Sequence, residues 1–307
     1  MKNFTSIITA IAFAGIISFV SCSKDRIEPN EDLNSYESMD EYLDSKKQAE
    51  QEYEITEEGS EPLQGQQGTK IWIGKDLLMF PDSSDVEWPF TIRLVELYTP
   101  KDMIYYQMPS VAGQNMLETE GEIRVRAFKV DPNGVEQELL LKPGRVFAIE
   151  MPSDSIRNNL SVYYGYTNQS RPDWTTNVQS LGGNNASLLF TPTATGHSAT
   201  IGKLGWINCG RPNTGQHTLS FTSETDELTN VKIFAYLPVY KGVVQSYNQS
   251  TCAMPDSSYV KVLAMAINSS DELFYTYAYT TLNNSATVPI TLEAISDEQL
   301  TQLLDSL

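Results

Sequence analysis

The stretch from Gly121 to Val130, Gly-Glu-Ile-Arg-Val-Arg-Ala-Phe-Lys-Val, constrains this chain more than any other. Ile123, Val125 and Ala127 alternate with Arg124 and Arg126, the period of two that a half-buried antiparallel strand requires. The same texture recurs in TKIWIG, FTIRLVELY, VEQELLLK and RVFAIEMP, each bounded by Gly, Pro, Asn or Asp clusters. Beyond Pro212 a second set follows: HTLSFTS, VKIFAYLP, GVVQSYN, YVKVLAMAIN, ELFYTYAYTTL and ATVPITLEAI. Short strands at near-regular spacing predict an all-β protein, with the second set forming a small sandwich of its own. Val231, Ile233, Ala235 and Leu237 alternate there, and Asn283-Asn284 connects the last two strands. Asp131-Pro132-Asn133-Gly134 reads as a turn, proline presetting φ and glycine accepting a positive one. A calcium loop would need spaced acidic ligands after it, and none follow. The tail SDEQLTQLLDSL predicts a short helix packed on the second sandwich. Ser296 is its N-cap, Gln299 stands three residues on, and Leu300, Leu303, Leu304 and Leu307 share a face.

Charge divides the chain unevenly. The formal net charge is −18, and between Ser23 and Gln66 there are 14 acidic residues against 4 basic ones. Acid-rich, apolar-poor sequence cannot bury enough surface to offset the entropy of ordering. Residues 22–66 are therefore expected to form an acidic, disordered tether, with partner binding by the charge run as the alternative. Ser38-Met39-Asp40-Glu41 has capping-box spacing, and Met39, Tyr42 and Leu43 line one face of a few helical turns within it. The acidic balance argues against nucleic acid as a partner.

At the amino terminus Lys2 precedes an apolar run from about Phe4 to Val20, followed by Ser21-Cys22. This is signal-peptide size. A spanning helix needs about 20 apolar residues with anchoring flanks, and Thr5, Ser6, Thr9 and Gly15 interrupt this shorter run. A small-x-small cleavage site is absent, and Phe19-Val20-Ser21-Cys22 resembles a lipobox. Residues 1–21 are then a lipoprotein signal peptide, and Cys22 is acylated and contacts membrane lipid. Several acyl chains hold a protein where one does not. Ser23 after Cys22, with no aspartate there, resembles the outer-membrane sorting outcome. Lys24-Asp25-Arg26 partly matches the surface-display signal of Bacteroidota-type lipoproteins, which favours the cell surface over the periplasmic face.

GTKIWIGKDLL, then LVELYTPKDMIYYQMPSVAGQNMLETEGEIRVRAF, then LLLKPGRVFAIEMPS together resemble a ZU5-like β-sandwich found in Bacteroidota-type lipoproteins. Gly205-Trp206-Ile207-Asn208-Cys209 resembles a motif these proteins share, which usually continues Asp-Arg-Phe where this chain has Gly210-Arg211-Pro212. The resemblance covers residues 67–212 and implies a sandwich domain in an interaction or architectural role, with no catalytic residues to transfer. Residues 213–307 then hold the second sandwich and the helix.

Catalytic and metal signals are sparse. There are two histidines, His197 and His217, and no metal-ligand spacing, serine-nucleophile elbow or phosphate-cradling glycine loop. No cofactor is expected. A Cys209–histidine dyad is outweighed by the usual buried role of free cysteine. The compartment permits a disulfide between Cys209 and Cys252, while two free thiols are the commoner state for so sparse a set. Tyr163, Tyr164, Tyr166 and Trp174 lie among Asn, Gln and Ser, and Tyr275, Tyr277 and Tyr279 share a strand face. Exposed, these rings would stack on sugars; otherwise they fill a face between sheets. Asp154-Ser155-Ile156 resembles a Bacteroidota-type O-glycosylation acceptor at Ser155, which requires an exposed loop, and Asp305-Ser306-Leu307 also fits. The expectation is a non-enzymatic, lipid-anchored outer-membrane protein presenting β-sandwiches to an envelope protein. The alternative is a glycan-binding accessory lipoprotein using Tyr163, Tyr164, Tyr166 and Trp174.

Overall fold

A computed structural model describes residues 33–57, 59, 61–131 and 134–307. Cys22 with its lipobox, and the turn residues Pro132 and Asn133, lie outside the described residues. In chain order the main elements begin with α1 (Asp40–Ser45), β1 (Gln51–Ile55), β2 (Lys70–Trp72), β3 (Phe90–Leu97) and α2 (Pro100–Tyr105). Then come β4 (Asn115–Val130), β5 (Phe147–Pro152), β6 (Ser161–Asn168), β7 (Arg171–Thr175), β8 (Gly196–Ile201) and β9 (Gly205–Pro212). The second half holds β10 (Leu219–Thr222), β11 (Lys232–Leu237), β12 (Gly242–Gln245) and β13 (Ser258–Ile267). It closes with β14 (Leu273–Leu282), β15 (Ala286–Pro289), β16 (Glu293–Ile295) and α3 (Asp297–Asp305). The fold is all-β, as the periodicity predicts.

The largest sheet runs β1-β3-β4-β9-β6-β7 and is antiparallel throughout. A second sheet orders β8-β5-β2, with Thr191–Pro192 and Leu63–Gln64 at its edges. Ile123, Val125 and Ala127 point into the core between these two sheets, joined by Ile92, Leu94, Phe147, Ile149 and Ile207. The third sheet runs β12-β11-β13-β14-β16. One of its faces carries Ile233, Ala235, Val260 and Val262 against Leu219 and Phe221 of the parallel β10–β15 pair. Its other face packs Phe234, Tyr236, Leu263 and Met265 against Val95, Leu97 and Tyr163 of the first sheet's outer side. That middle core also takes Met39 just before α1 and Leu43 within it, Met103 and Ile104 of α2, and Leu300 and Leu304 of α3.

Strand β4 ties the layers together. Met116 belongs to the third core, Leu117 to the middle one, and Ile123 to the first. Residues 33–307 accordingly form one compact unit. The expected boundary at Pro212 marks a change of sheet and does not separate independent cores. The helix α3 begins with the predicted capping box, Ser296 accepting from the Gln299 amide at 3.2 Å. No helix among the described residues is long and apolar enough to cross a membrane.

The described part of the segment expected to be a disordered tether is ordered. From Leu33 onward the described part of the segment is folded, and β1 pairs with β3 from Gln51↔Leu94 to Ile55↔Phe90. Three of the acids that suggested a solvated stalk are matched by cations on the body. Glu50 accepts from Arg124 at 2.8 Å and Arg126 at 2.6 Å, Glu52 accepts from Arg93 at 2.7 Å, and Asp40 pairs with Lys232 at 2.8 Å. Average charge density hides this because it ignores which acids meet a base across the fold.

Candidate functional site

Three of the four aromatic residues predicted as a sugar platform are core residues. Tyr163 is 6% exposed, Tyr164 2% and Trp174 3%. Tyr163 and Trp174 enter the middle core, while Tyr164 enters the first. The sheet that carries them is covered on both faces, so successive residues of β6 are buried on opposite sides. Trp174 donates its indole N–H to the Pro109 carbonyl at 2.8 Å, and the Tyr164 hydroxyl accepts from the Gly202 amide at 3.1 Å. Tyr166 is half-buried and donates to Asp173 at 3.0 Å. Tyr163, Tyr164 and Trp174 offer no stacking surface. Of the second aromatic group, Tyr275 and Tyr277 are half-buried and Tyr279 is exposed.

Cys209 and Cys252 are both free thiols, the commoner of the two states expected, and the possible disulfide between them is not formed. Cys209 is in the first core, whereas Cys252 packs beside the third. Burial pushes the Cys252 thiol up to about 12 and the Cys209 thiol well above its ordinary value, the latter with a smaller push from Glu120. A thiol held protonated is a poor nucleophile. The histidines are engaged elsewhere: His197 Nε2 meets the Arg157 main chain, and His217 Nε2 lies 3.0 Å from Asp256. No group of three or more His, Cys, Asp or Glu suited to a metal occurs among the described residues. Ser155 lies on an exposed loop, as a modification there requires. Its amide donates to Ser153 Oγ at 3.2 Å.

Two constellations that the sequence reading missed stand at the junction of the halves. The first is an ionic seam built from Leu117-Glu118-Thr119-Glu120-Gly121-Glu122. Glu118 accepts from Arg157 and, at 2.8 Å, from Arg211, the residue standing in this chain after the Asn208-Cys209-Gly210 stretch. Glu120 lies 2.9 Å from Arg157 Nε and accepts from Lys241 and Ser153 at 2.8 and 2.7 Å. Lys241 belongs to the second half, so the seam fastens one half to the other. Glu122 is fully buried and accepts at Oε1 from Ser110 at 3.1 Å and Asn208 at 3.0 Å, while Oε2 has no partner among the described residues. Burial pushes its carboxyl up to about 8, against the pull of those two donors. Gly121 has φ +143°, and a methyl there would overlap the Tyr98 ring. With every basic member paired, the seam is suited to holding the halves together.

The second constellation is a cleft between two hairpin tips. The β6–β7 tip carries Gln169 and Ser170 at φ +47° and +65°, and the 247–250 tip carries Asn248 and Gln249 at φ +51° and +59°. Consecutive left-handed residues make the tight turns that suit hairpins, and glycine or asparagine adopts them most cheaply. Elsewhere the left-handed form costs about 1–2 kcal/mol per residue, so three non-glycine, non-asparagine residues here are held under strain. Both tips read Asn-Gln-Ser, at 168–170 and 248–250. That repeat is the one sequence signal that pointed to the pair. Arg171 lays its guanidinium over the Tyr247 ring at 4.1 Å to the centroid, joining the tips. Two adjoining hollows of about 400 and 270 Å³ share Arg171, Gln245 and Tyr247 in their walls. Ser246 Oγ, on the larger one, is shielded and has no hydrogen-bond partner among the described residues. Pairs of amides and hydroxyls beside a stacked guanidinium can bind a polar ligand; they carry no nucleophile–base pair. Compared with family models, curated proteins and solved structures, the chain matches none.

Proposed function

We propose that the chain is a non-enzymatic, lipid-anchored outer-membrane protein whose β-sandwich body makes protein–protein or scaffolding contacts in the envelope. The observation that carries this reading is the way the segment nearest the anchor is stitched across both halves. The Asn34 amide donates to the Thr225 carbonyl at 2.9 Å and the Glu37 amide to the Ile267 carbonyl at 2.8 Å, while β1 extends the first sheet. Ten residues, Ser23 to Asp32, separate Cys22 from Leu33. At about 3.3–3.6 Å per residue, the eleven steps from Cys22 to Leu33 span at most about 40 Å. A body whose two halves are both fastened to the segment that follows the anchor presents them as one piece, which suits a scaffold.

Growth in radiolabelled palmitate tests the anchor. The native chain takes up label and fractionates with the outer membrane, and Cys22→Ser does neither. Surface crosslinking followed by capture then recovers a specific envelope protein with the native chain. Recovery of no specific protein removes the scaffold reading. Glycan binding remains a second reading because of the Arg171–Tyr247 cleft, on residues different from those the sequence suggested.

A further inference from the structure

We propose that the cleft between the two Asn-Gln-Ser tips binds a carboxylate-bearing oligosaccharide, with Arg171 receiving the carboxylate; this deepens the glycan-binding reading and rests on it. Charge on the walls is the first support. Lys232 is already neutralised by Asp40 at 2.8 Å. Asp173 is filled by four donors: the Gly113 amide at 2.8 Å, the Trp174 amide at 2.7 Å, the Tyr166 hydroxyl at 3.0 Å and Asn168 Nδ2 at 3.1 Å. Arg171 lies two residues away on the same strand and forms no ion pair among the described residues. Its planar fork is stacked on Tyr247, which orients the donors and leaves them to an incoming acceptor. Guanidinium geometry matches a carboxylate with two parallel hydrogen bonds.

The neutral lining favours a sugar over a peptide. Gln245, Asn248 and Gln249 supply paired donors and acceptors of the kind that vicinal hydroxyls satisfy. An extended peptide would need apolar pockets for alternate side chains. The larger hollow, about 400 Å³, falls in the size range of small-ligand sites. Strain adds a third line: left-handed non-glycine residues persist where the surroundings over-determine them, often at ligand clamps, and here they lie on both lips of one cleft.

Isothermal titration of the full chain in detergent with tri-galacturonic acid, and in parallel with neutral galactotriose, tests the assignment. The uronate is expected to bind, with affinity falling as salt rises. Galactotriose and Arg171→Gln are each expected to lose about ten- to hundredfold, the worth of a hydrogen bond to a charged group. Arg171→Lys keeps the charge and loses the fork, so it falls between. Ser246→Ala probes the inner wall independently, and thermal unfolding of each variant confirms that the fold is intact. Equal binding of both sugars, unchanged in Arg171→Gln, overturns the carboxylate assignment and leaves glycan binding standing. Binding of neither sugar overturns both. The scaffold reading is untouched by either result, because the palmitate and crosslinking experiments decide it separately.

Discussion

Glu122→Gln should change how stability responds to pH, because Glu122 is a fully buried carboxyl with one oxygen unpartnered among the described residues. Burial raises it from an ordinary 4.5 to about 8 in the folded chain. A carboxyl whose folded value is raised binds its proton more tightly when native. Its contribution is therefore full below about pH 4.5 and is lost progressively as pH climbs toward 8. Between those values the unfolded chain has released a proton that the native chain keeps, and the slope approaches 1.4 kcal/mol per pH unit. From pH 5 to pH 8 this amounts to about 3–4 kcal/mol of stability withdrawn. Glutamine preserves the acceptor that Ser110 and Asn208 use and removes the titration. The variant should lie within about 1 kcal/mol of the native chain at pH 5 and be more stable by about 3 kcal/mol at pH 8. Urea unfolding at half-unit intervals from pH 5 to 8.5, taken as the difference between the two proteins, isolates this site because every other group cancels. Parallel stability curves across that range would refute the reasoning.

Three further outcomes follow from the same geometry. Gly121→Ala should destabilise by about 3 kcal/mol, combining a left-handed backbone with overpacking against Tyr98; Gly113→Ala, at φ +60° with open space around it, should lose about 1 kcal/mol. Chemical denaturation distinguishes them, and equal losses would sink the overlap account. Arg157→Ala should cost about 2–3 kcal/mol, less than a lone buried pair would lose, because Arg211 and Lys241 still face Glu118 and Glu120. A change within 0.5 kcal/mol in thermal or urea unfolding would show that the seam adds nothing. In a chain lacking the Cys22 thiol, iodoacetamide in denaturant without reductant should add two adducts by mass, one each at Cys209 and Cys252. No adducts would mean the thiols pair after all.

Local pattern was enough to determine every element that answers to a single neighbour. Alternation at Ile123, Val125 and Ala127 gave a strand with one face in a core, and Ser296 with Gln299 gave the start of α3, because both signals depend only on residues a few positions apart. Position within the layers was decided by tertiary structure alone. Tyr163 and Tyr164 look alike in the sequence, yet one fills the middle core and the other the first, since a second sheet covers the side that a lone sandwich would leave wet. The acids at Asp40, Glu50 and Glu52 read as a solvated run until Lys232, Arg124, Arg126 and Arg93 arrive beside them from distant strands. The Asn-Gln-Ser tips were written twice in the chain, 80 residues apart. Their meeting at Arg171 and Tyr247 became a cleft only when the two halves packed together, because a cavity belongs to the space between elements and leaves no periodicity in either.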